Sequence, residues 1–258
     1  MISIRTDEEV DLIRQSNLLV AATLAHIAVL LKPGVSTLEV DKKAEQFIRD
    51  NGGVPGFKGY NGFPFTLCIS INDEVVHGMP SDRTIIEGDL VSVDCGVYMN
   101  GYHGDSAYTF LIEPVTDQAR DLARITREAL YQGIAQAIDG NRLGNLSHAV
   151  QTHAEAAGFS VVREMVGHGV GRELHEPPEV PNWGRQGTGV ILKTGMVLAI
   201  EPMINLGRRY IVQDPDGWTI RTSDRQLSAH YEHTVVVGKS SADILSDFTV
   251  IDDALRFS

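Results

Sequence analysis

The spacing of apolar and polar residues predicts four helices, arranged as two similar pairs. Thr6 and Glu9 have the spacing of a helix-capping box, which indicates where the first helix begins. A glycine follows each helix pair, and another separates its two members. The predicted helices cover residues 7–32, 37–50, 117–138 and 146–157.

The two helix pairs are separated by a constant distance along the chain. Gly34 and Gly140 are 106 residues apart, and so are Gly52 and Gly158. Apolar residues of the second helix in each pair recur at the same offset: Val40, Ala44 and Ile48, then Leu146, Val150 and Ala154. This repetition predicts two related halves. The alternative is that a helix–glycine–helix arrangement is common and the offset is a coincidence.

Each helix pair is followed by segments with the alternation of β-strands. These segments are 66–76, 90–97 and 102–112 in the first half, and 197–204, 210–212, 218–221 and 232–237 in the second. Helices alternate with hairpins and not with single strands, which favours an α+β fold with helices on one face of an antiparallel sheet. No segment resembles a linker, so we predict a single domain, residues 1–258.

Composition and charge exclude several classes of protein. The 258-residue chain is 43% hydrophobic and 22% charged, as in an ordinary globular protein. Its net charge of −12 disfavours binding to phosphate backbones. Two cysteines cannot form a disulfide framework, and the longest apolar run, 18–31, is too short to span a bilayer. With no secretory signal at the start, we expect a cytoplasmic protein without membrane or specific nucleic-acid partners.

One predicted hairpin places two carboxylates together. Asn100-Gly101, between two alternating segments, is a strong hairpin signal. If these residues form the loop, Gly96 lies opposite Asp105, and Asp94 becomes a diagonal neighbour of Asp105 on the same face. A divalent cation would relieve their mutual repulsion, and Gly96 would leave room for it. The alternative is a pair of aspartates on a solvated face.

Further candidate ligands occur in later segments. The stretch GHGVGRELHEPP contains His168 and His175, Glu201 lies in the apolar segment MVLAIEPM, and Glu232 lies in HYEHTVVV. Each alone could be a hydrogen-bonded core residue, but a buried carboxylate is costly without a partner. With the hairpin aspartates included, four carboxylates and one imidazole could hold two divalent ions for hydrolysis. Oxygen-rich ligation favours manganese, iron or cobalt, with zinc as an alternative.

Over nearly its whole length, the chain resembles the bacterial type I methionine aminopeptidases. The motifs that carry the resemblance are CISINDEVVHGMP, VDCGVYMNGYHGD, GHGVGRELHEPP, MVLAIEPM and DGWTIRTSDRQLSAHYEHTVVV. The resemblance implies a pita-bread fold, with two pseudo-symmetric halves whose helices pack on a curved antiparallel sheet. It also implies that the protein removes the initiator methionine from nascent polypeptides, prefers a small second residue, and uses two divalent metal ions.

The resemblance also assigns roles to individual residues. The implied metal ligands are Asp94, Asp105, His168, Glu201 and Glu232. The residues implied to form the methionine pocket are Tyr60, Phe63, Cys68 and Trp218, for which ordinary core packing is the alternative. Glu201 would also transfer a proton from water to the leaving amine, His175 would donate to the scissile carbonyl, and His77 would contact the substrate backbone. Asn72 and Ser228 match a monovalent-cation site.

The chain departs from the usual residues of the family at three positions near the predicted site. The family often has threonine at Gly96, tyrosine at Phe63 and histidine at Asn61. These differences bear on the affinity for the substrate and on how it fits the pocket.

A prolidase or Xaa-Pro aminopeptidase would use the same ligands but usually has an additional amino-terminal domain, for which we see no room before Asp7. A catalytically inactive binding module would not need every ligand. We further expect a monomer that associates transiently with the ribosome.

Overall fold

The computed structural model describes residues 2–256. Within this range the α-helices are α1 Asp7–Ala28, α2 Thr37–Asp50, α3 Asp117–Ile134, α4 Leu143–Ala156 and α5 Thr249–Arg256. None of them is long and apolar enough to cross a membrane. The predicted domain, 1–258, also includes Met1, Phe257 and Ser258, which lie outside the described residues, and it stays a prediction.

The helix boundaries follow from local capping. Thr6 and Glu9 form the predicted capping box, in which each side chain hydrogen-bonds to the backbone N–H of the other residue. The side chain of Ser36 accepts from Glu39 N, and α2 has the predicted bounds. The first and third helices end a few residues before their predicted ends. Helix α5 was not predicted from the sequence.

The strands form four small sheets, and every pairing between them is antiparallel. The strands are β1 Val54–Pro55, β2 Leu67–Ile71, β3 Glu74–Val76, β4 Leu90–Met99, β5 Tyr102–Leu111, β6 Ser160–Val161, β7 Gly167–Gly169, β8 Glu176–Val180, β9 Val197–Ile200, β10 Met203–Asn205, β11 Ile211–Gln213, β12 Ile220–Thr222, β13 Ser228–His230, β14 His233–Val236 and β15 Asp243–Ile244. Strand β4 pairs with β1, β2 and β5. The largest sheet has the order β15-β14-β9-β7-β8, and the others are β13-β10-β6 and β11-β12-β3. The predicted α+β class is therefore confirmed.

Two predicted strands are each divided into two. Segment 197–204 separates into β9 and β10 at Glu201-Pro202, because proline has no N–H to donate to a strand ladder. Segment 66–76 separates into β2 and β3 at a turn in which Asn72 has a φ of 61°. At both interruptions, the side chains therefore no longer alternate between the two faces of a continuous strand.

The two predicted halves are confirmed by matching elements. Helices α2 and α4 have 14 residues each and begin 106 residues apart. The short strands β1 and β6 also begin 106 residues apart, and each pairs antiparallel with a later strand of its own half, β1 with β4 and β6 with β10. The apolar positions of α2 and α4 that repeat in the sequence are at most 1% exposed. Each half thus packs its helix on its strands in the same way.

Candidate metal centre

The β4–β5 hairpin brings Asp94 and Asp105 together as predicted. Gly96 pairs with Asp105, and Asp94 pairs with Ala107. Burial raises the pKa of Asp94 to about 7, and the Glu201 charge adds to this effect. Burial and the Asp94 charge raise the pKa of Asp105 well above its usual range. The two carboxyl groups thus share one small, dry region of the sheet face.

Residues of the second half approach this hairpin from strands β7 and β9. His168 in β7 pairs with Ala199 in β9, and Glu201 directly follows β9. The Nε2 atom of His168 lies 3.6 Å from Glu201 Oε1 and 3.8 Å from Asp105 Oδ2. Its Nδ1 lies 2.9 Å from the carbonyl oxygen of Gly169, so Nδ1 must carry the proton. The lone pair of Nε2 therefore points toward the carboxylates, as in histidine metal ligands.

The environment of His168 keeps its imidazole neutral. Burial lowers the pKa of His168 to about 3, and the neighbouring His175 contributes in the same direction. A neutral imidazole is the form that binds metal ions.

Glu232 completes the cluster from the segment between β13 and β14. Its backbone N–H donates to the carbonyl of Ala107 at 2.9 Å, which places Glu232 against the hairpin. Burial, followed by the charges of Asp105 and Glu201, raises the pKa of Glu232. Asp105, His168 and Glu232 each offer one ligand atom, and these three atoms lie within 4.8 Å of one another.

Unpaired acceptor atoms test whether these residues fit a metal ion. Asp94 Oδ1, Asp105 Oδ1 and Glu232 Oε1 are buried and have no hydrogen-bond partner among residues 2–256. Buried carboxylate oxygens without donors are strongly destabilising unless a cation neutralises them. The cluster therefore fits a divalent cation, and oxygen donors with a single imidazole are typical ligands for manganese, iron or cobalt.

The cluster lines a cavity of about 210 Å³. The cavity includes all five candidate ligands and all six residues that the sequence placed in the substrate site, Tyr60, Phe63, Cys68, His77, His175 and Trp218. It is also lined by residues that the sequence did not single out for the site, among them Phe57, Leu174, Met165 and Met203. Their apolar character resembles that of ordinary core residues, so no signal in the sequence distinguished them.

Part of the cavity wall, called here the aromatic end, is formed by Tyr60, Phe63, Cys68 and Trp218. The rings of Phe63 and Trp218 are 5.1 Å apart and nearly perpendicular. Cys68 is 5% exposed, and burial raises the pKa of its thiol, so the sulfur remains protonated. The hydroxyl of Tyr60 lies 2.8 Å from His175 Nδ1. Apolar and sulfur-containing surface thus adjoins polar groups in a single enclosed space.

Two further histidines, His175 and His77, also line the cavity. The rings of His175 and His168 are 4.1 Å apart, so His175 adjoins the candidate ligands. His77 directly follows β3 and has a φ of 59°, a strained conformation that aims its side chain out of the strand direction. Burial lowers the pKa of His77 to about 4. Both histidines therefore face the cavity as neutral groups.

Asn72 and Ser228 lie together, but apart from this cavity. The backbone N–H of Ser228 donates to the carbonyl of Asn72 at 2.8 Å. The side chain of Asn72 donates to Asp89 and accepts from Leu90 N, and the hydroxyl of Ser228 donates to Asn205 Oδ1. Their role at a monovalent cation stays a prediction.

His230 is a further residue that the sequence did not single out. It is 1% exposed, and its Nε2 lies 3.6 Å from Glu201 Oε2. In the sequence it is one histidine in an apolar strand, which is the usual pattern of a core residue. Only the tertiary structure shows that it faces the carboxylate cluster.

A buried cluster of carboxylates with one neutral imidazole, on an antiparallel two-half fold, defines the class of metal-dependent hydrolases. Within this class the chain belongs to metallopeptidase family M24, which matches residues 11–239.

Relatives and solved structures agree with this assignment. The chain is 47% identical to methionine aminopeptidase 1 of Bacillus subtilis over 246 residues, which cover 95% of this chain and 99% of that protein. The crystal structure of methionine aminopeptidase from Thermotoga maritima matches with a TM-score of 0.94 and 41% identity, covering 96% and 100% of the two chains. Prolidase from Pyrococcus furiosus matches with a TM-score of 0.76 and 25% identity, but this chain covers only 65% of it. The predicted family resemblance and pita-bread fold are confirmed.

Proposed function

We propose that this protein is a methionyl aminopeptidase, which removes the initiator methionine from nascent polypeptides by metal-dependent hydrolysis. The observation that carries the proposal is the single cavity that joins the carboxylate cluster to an aromatic, sulfur-containing end. Full-length similarity to methionine aminopeptidases supports it over the prolidase alternative, because this chain covers only 65% of the matched prolidase.

The proposed metal ligands are Asp94, Asp105, His168, Glu201 and Glu232. Together they would hold two divalent ions, with manganese, iron or cobalt preferred over zinc. When bound, such ions activate water and polarise the carbonyl group of a peptide bond. The two halves of the fold both contribute ligands, so the centre requires that the halves be packed together.

Three residues are proposed to act on the substrate itself. Glu201 would accept a proton from the attacking water and deliver it to the leaving amine. If the Tyr60 hydroxyl donates to His175 Nδ1, the Nε2–H of His175 is left to donate to the scissile carbonyl as negative charge develops. His77, held in its strained conformation, would hydrogen-bond the substrate backbone.

The aromatic end of the cavity is proposed to bind the methionine side chain. Phe63, Trp218 and Tyr60 present ring surfaces, and Cys68 presents a protonated sulfur. A polarisable thioether makes favourable contacts with ring edges. Because the cavity is only about 210 Å³, we expect little room beyond the methionine, and hence a preference for Gly, Ala or Ser as the second residue.

The biological setting completes the proposal. The partners would be the N-termini of nascent polypeptides, encountered in the cytoplasm by a monomeric enzyme that associates transiently with the ribosome. The expected monovalent-cation site at Asn72 and Ser228 would have a structural role, because these residues lie outside the cavity.

A peptide panel with metal-depleted enzyme tests the proposal. We expect no cleavage without metal, and release of methionine from Met-Ala-Ser after addition of Mn²⁺, Fe²⁺ or Co²⁺. Met-Leu-Ser should be cleaved slowly, and Ala-Pro not at all. The Asp105→Asn variant is the matched negative control, because it removes a charge from the cluster with little change in shape. Cleavage of Ala-Pro as fast as Met-Ala-Ser would contradict the proposal in favour of a prolidase.

A further inference from the structure

His230 occupies a fixed position beside the proposed general base. Strand β13 pairs with β10 so that His230 faces Met203, two residues after Glu201. The hydroxyl of Thr109 donates to the backbone carbonyl of His230 at 2.7 Å and accepts its N–H at 3.0 Å. A second hydroxyl, from Ser92, lies 2.8 Å from that of Thr109. The Thr109 hydroxyl therefore fixes the backbone that carries the His230 imidazole, and Ser92 in turn fixes that hydroxyl.

The imidazole of His230 has a buried nitrogen without a partner. Nε2 is inaccessible to solvent and makes no hydrogen bond within the described chain. Its nearby acidic oxygen is Oε2 of Glu201, at 3.6 Å, slightly beyond hydrogen-bonding distance. Buried polar nitrogens in proteins are nearly always paired, so an unpaired one requires an explanation.

The two oxygens of Glu201 face different histidines. Oε1 lies 3.6 Å from His168 Nε2, on the side of the carboxylate cluster, and Oε2 lies 3.6 Å from His230 Nε2. His168 must keep its Nε2 unprotonated because its Nδ1 donates to Gly169. His230 has no such constraint at Nε2. The two imidazoles can therefore have opposite roles toward one carboxylate.

We propose that His230 is a positioning residue for Glu201, whose Nε2–H donates a hydrogen bond to Oε2 and leaves Oε1 directed at the metal centre. This inference rests on the proposed metal centre and adds a residue to it. Donors behind a metal-binding carboxylate fix its orientation and strengthen metal binding. His230 would thus determine how well Glu201 is arranged for its ligand and proton-transfer roles.

Substitutions of His230 by three side chains separate this role from simple packing. In His230→Gln the amide nitrogen can occupy the place of Nε2, whereas in His230→Asn it can only approach the place of Nδ1. His230→Leu fills space without any donor. We would measure Mn²⁺ binding to the metal-depleted proteins by titration calorimetry, and the visible spectrum of their Co²⁺ forms.

We expect His230→Leu and His230→Asn to weaken Mn²⁺ binding by about 10- to 100-fold, with a changed Co²⁺ spectrum. His230→Gln should stay within about threefold of the wild-type affinity, since it keeps the donor. The control is His233→Leu, which removes another buried imidazole. The His233 ring bonds to Ser246 and packs against Phe248, and none of these three residues lines the cavity, so this variant should lose thermal stability but keep its metal affinity.

The outcomes are separable. If His230→Leu binds Mn²⁺ as tightly as wild type, or if His230→Gln is as weak as His230→Leu, the positioning role is wrong. Equal rescue by Asn and Gln would overturn the assignment to Nε2. If the wild-type protein binds no Mn²⁺, Fe²⁺ or Co²⁺, the metal centre itself is refuted, and with it the basis of this inference.

Discussion

The contact between Gly96 and Phe57 is so close that one added methyl group at position 96 should destabilise the protein. A Cβ there would lie 2.4 Å from Cε1 and 2.8 Å from Cδ1 of Phe57. Comfortable carbon–carbon contacts are about 3.5 to 4.0 Å, so the ring must move by about 1 Å or more. Phe57 is only 8% exposed and packs with Phe63, Cys68 and Leu174, which limits that movement.

The expected cost follows from this overpacking. We expect Gly96→Ala to lower the free energy of unfolding by about 1 to 3 kcal/mol, the usual range for an extra methylene in a tight core. The φ of Gly96 lies outside the left-handed region, so alanine should meet no backbone penalty that would confuse the result. Since Phe57 lines the cavity, the displaced ring should also raise the KM for Met-Ala-Ser more than it lowers kcat.

A double-mutant cycle provides the decisive assay. Gly96→Ala, Phe57→Leu and the double variant would be unfolded in urea, with turnover measured in parallel. Because leucine lacks Cε1, the ring carbon nearest to position 96, we expect the double variant to be more stable than the sum of the single effects predicts, by about 1 kcal/mol or more. Additive effects, or a Gly96→Ala variant within about 0.5 kcal/mol of wild type, would refute the overpacking argument.

Two further predictions concern His168 and His175, and Asp41. His168→Ala should weaken metal binding, and its activity should recover in part at high metal concentration. His175→Ala should keep its metals and slow turnover by about 10²- to 10³-fold. Loss of metal from His175→Ala would reverse the two roles. Asp41 accepts the N–H groups of Thr66 and Leu67, and burial raises its pKa from 3.8 to about 6. Its carboxyl therefore stabilises the fold fully below pH 3.8 and loses that contribution as the pH rises through 6. Asparagine keeps the hydrogen-bond acceptor without the charge. In urea unfolding, the free energy of unfolding of Asp41→Asn should therefore exceed that of wild type by at most about 3 kcal/mol at pH 8 and by little at pH 4. An equal gain at both pH values would contradict this.

The features predicted from the sequence are those that local chemistry determines. A two-residue Asn100-Gly101 loop fixes hairpin register, and a shift of one residue would turn Asp94 and Asp105 to opposite faces. Local chemistry likewise located the start of α1, where Thr6 and Glu9 form the capping box, and the bounds predicted for α2 match the structure. The juxtaposition of these two aspartates therefore followed from pairing rules alone.

Features that depend on tertiary contacts were missed. Strands such as β7 and β8 have three to five residues rich in Gly or Pro, and show no alternation to detect. Helix α5 has eight residues, and Asp252 within it is held by Arg127 and by the hydroxyl of Tyr108. Since those partners lie more than 100 residues away, no local pattern could indicate that the helix docks there.

The repeat explains why ligand-type residues from distant segments meet. Asp94 and Glu201 are 107 residues apart, the same offset that relates β4 to β9, so they occupy equivalent places in the two halves. Equivalent residues of two halves related by a two-fold axis lie close together only near that axis. The charge of Glu201 contributes to the raised pKa of Asp94, which indicates that this pair is close.

Asp105 and Glu232 are not related by the 107-residue offset, but they come from corresponding places: Asp105 lies in β5, which pairs with β4, and Glu232 directly precedes β14, which pairs with β9. The backbone N–H of Glu232 also donates to the carbonyl of Ala107, close to Asp105 in β5. Each half of the chain therefore contributes two of the four carboxylates. An ion that binds all of them would hold the halves together. Metal binding and the packing of the halves should accordingly be linked, because a ligand that binds only the assembled site adds its binding free energy to the stability of the fold.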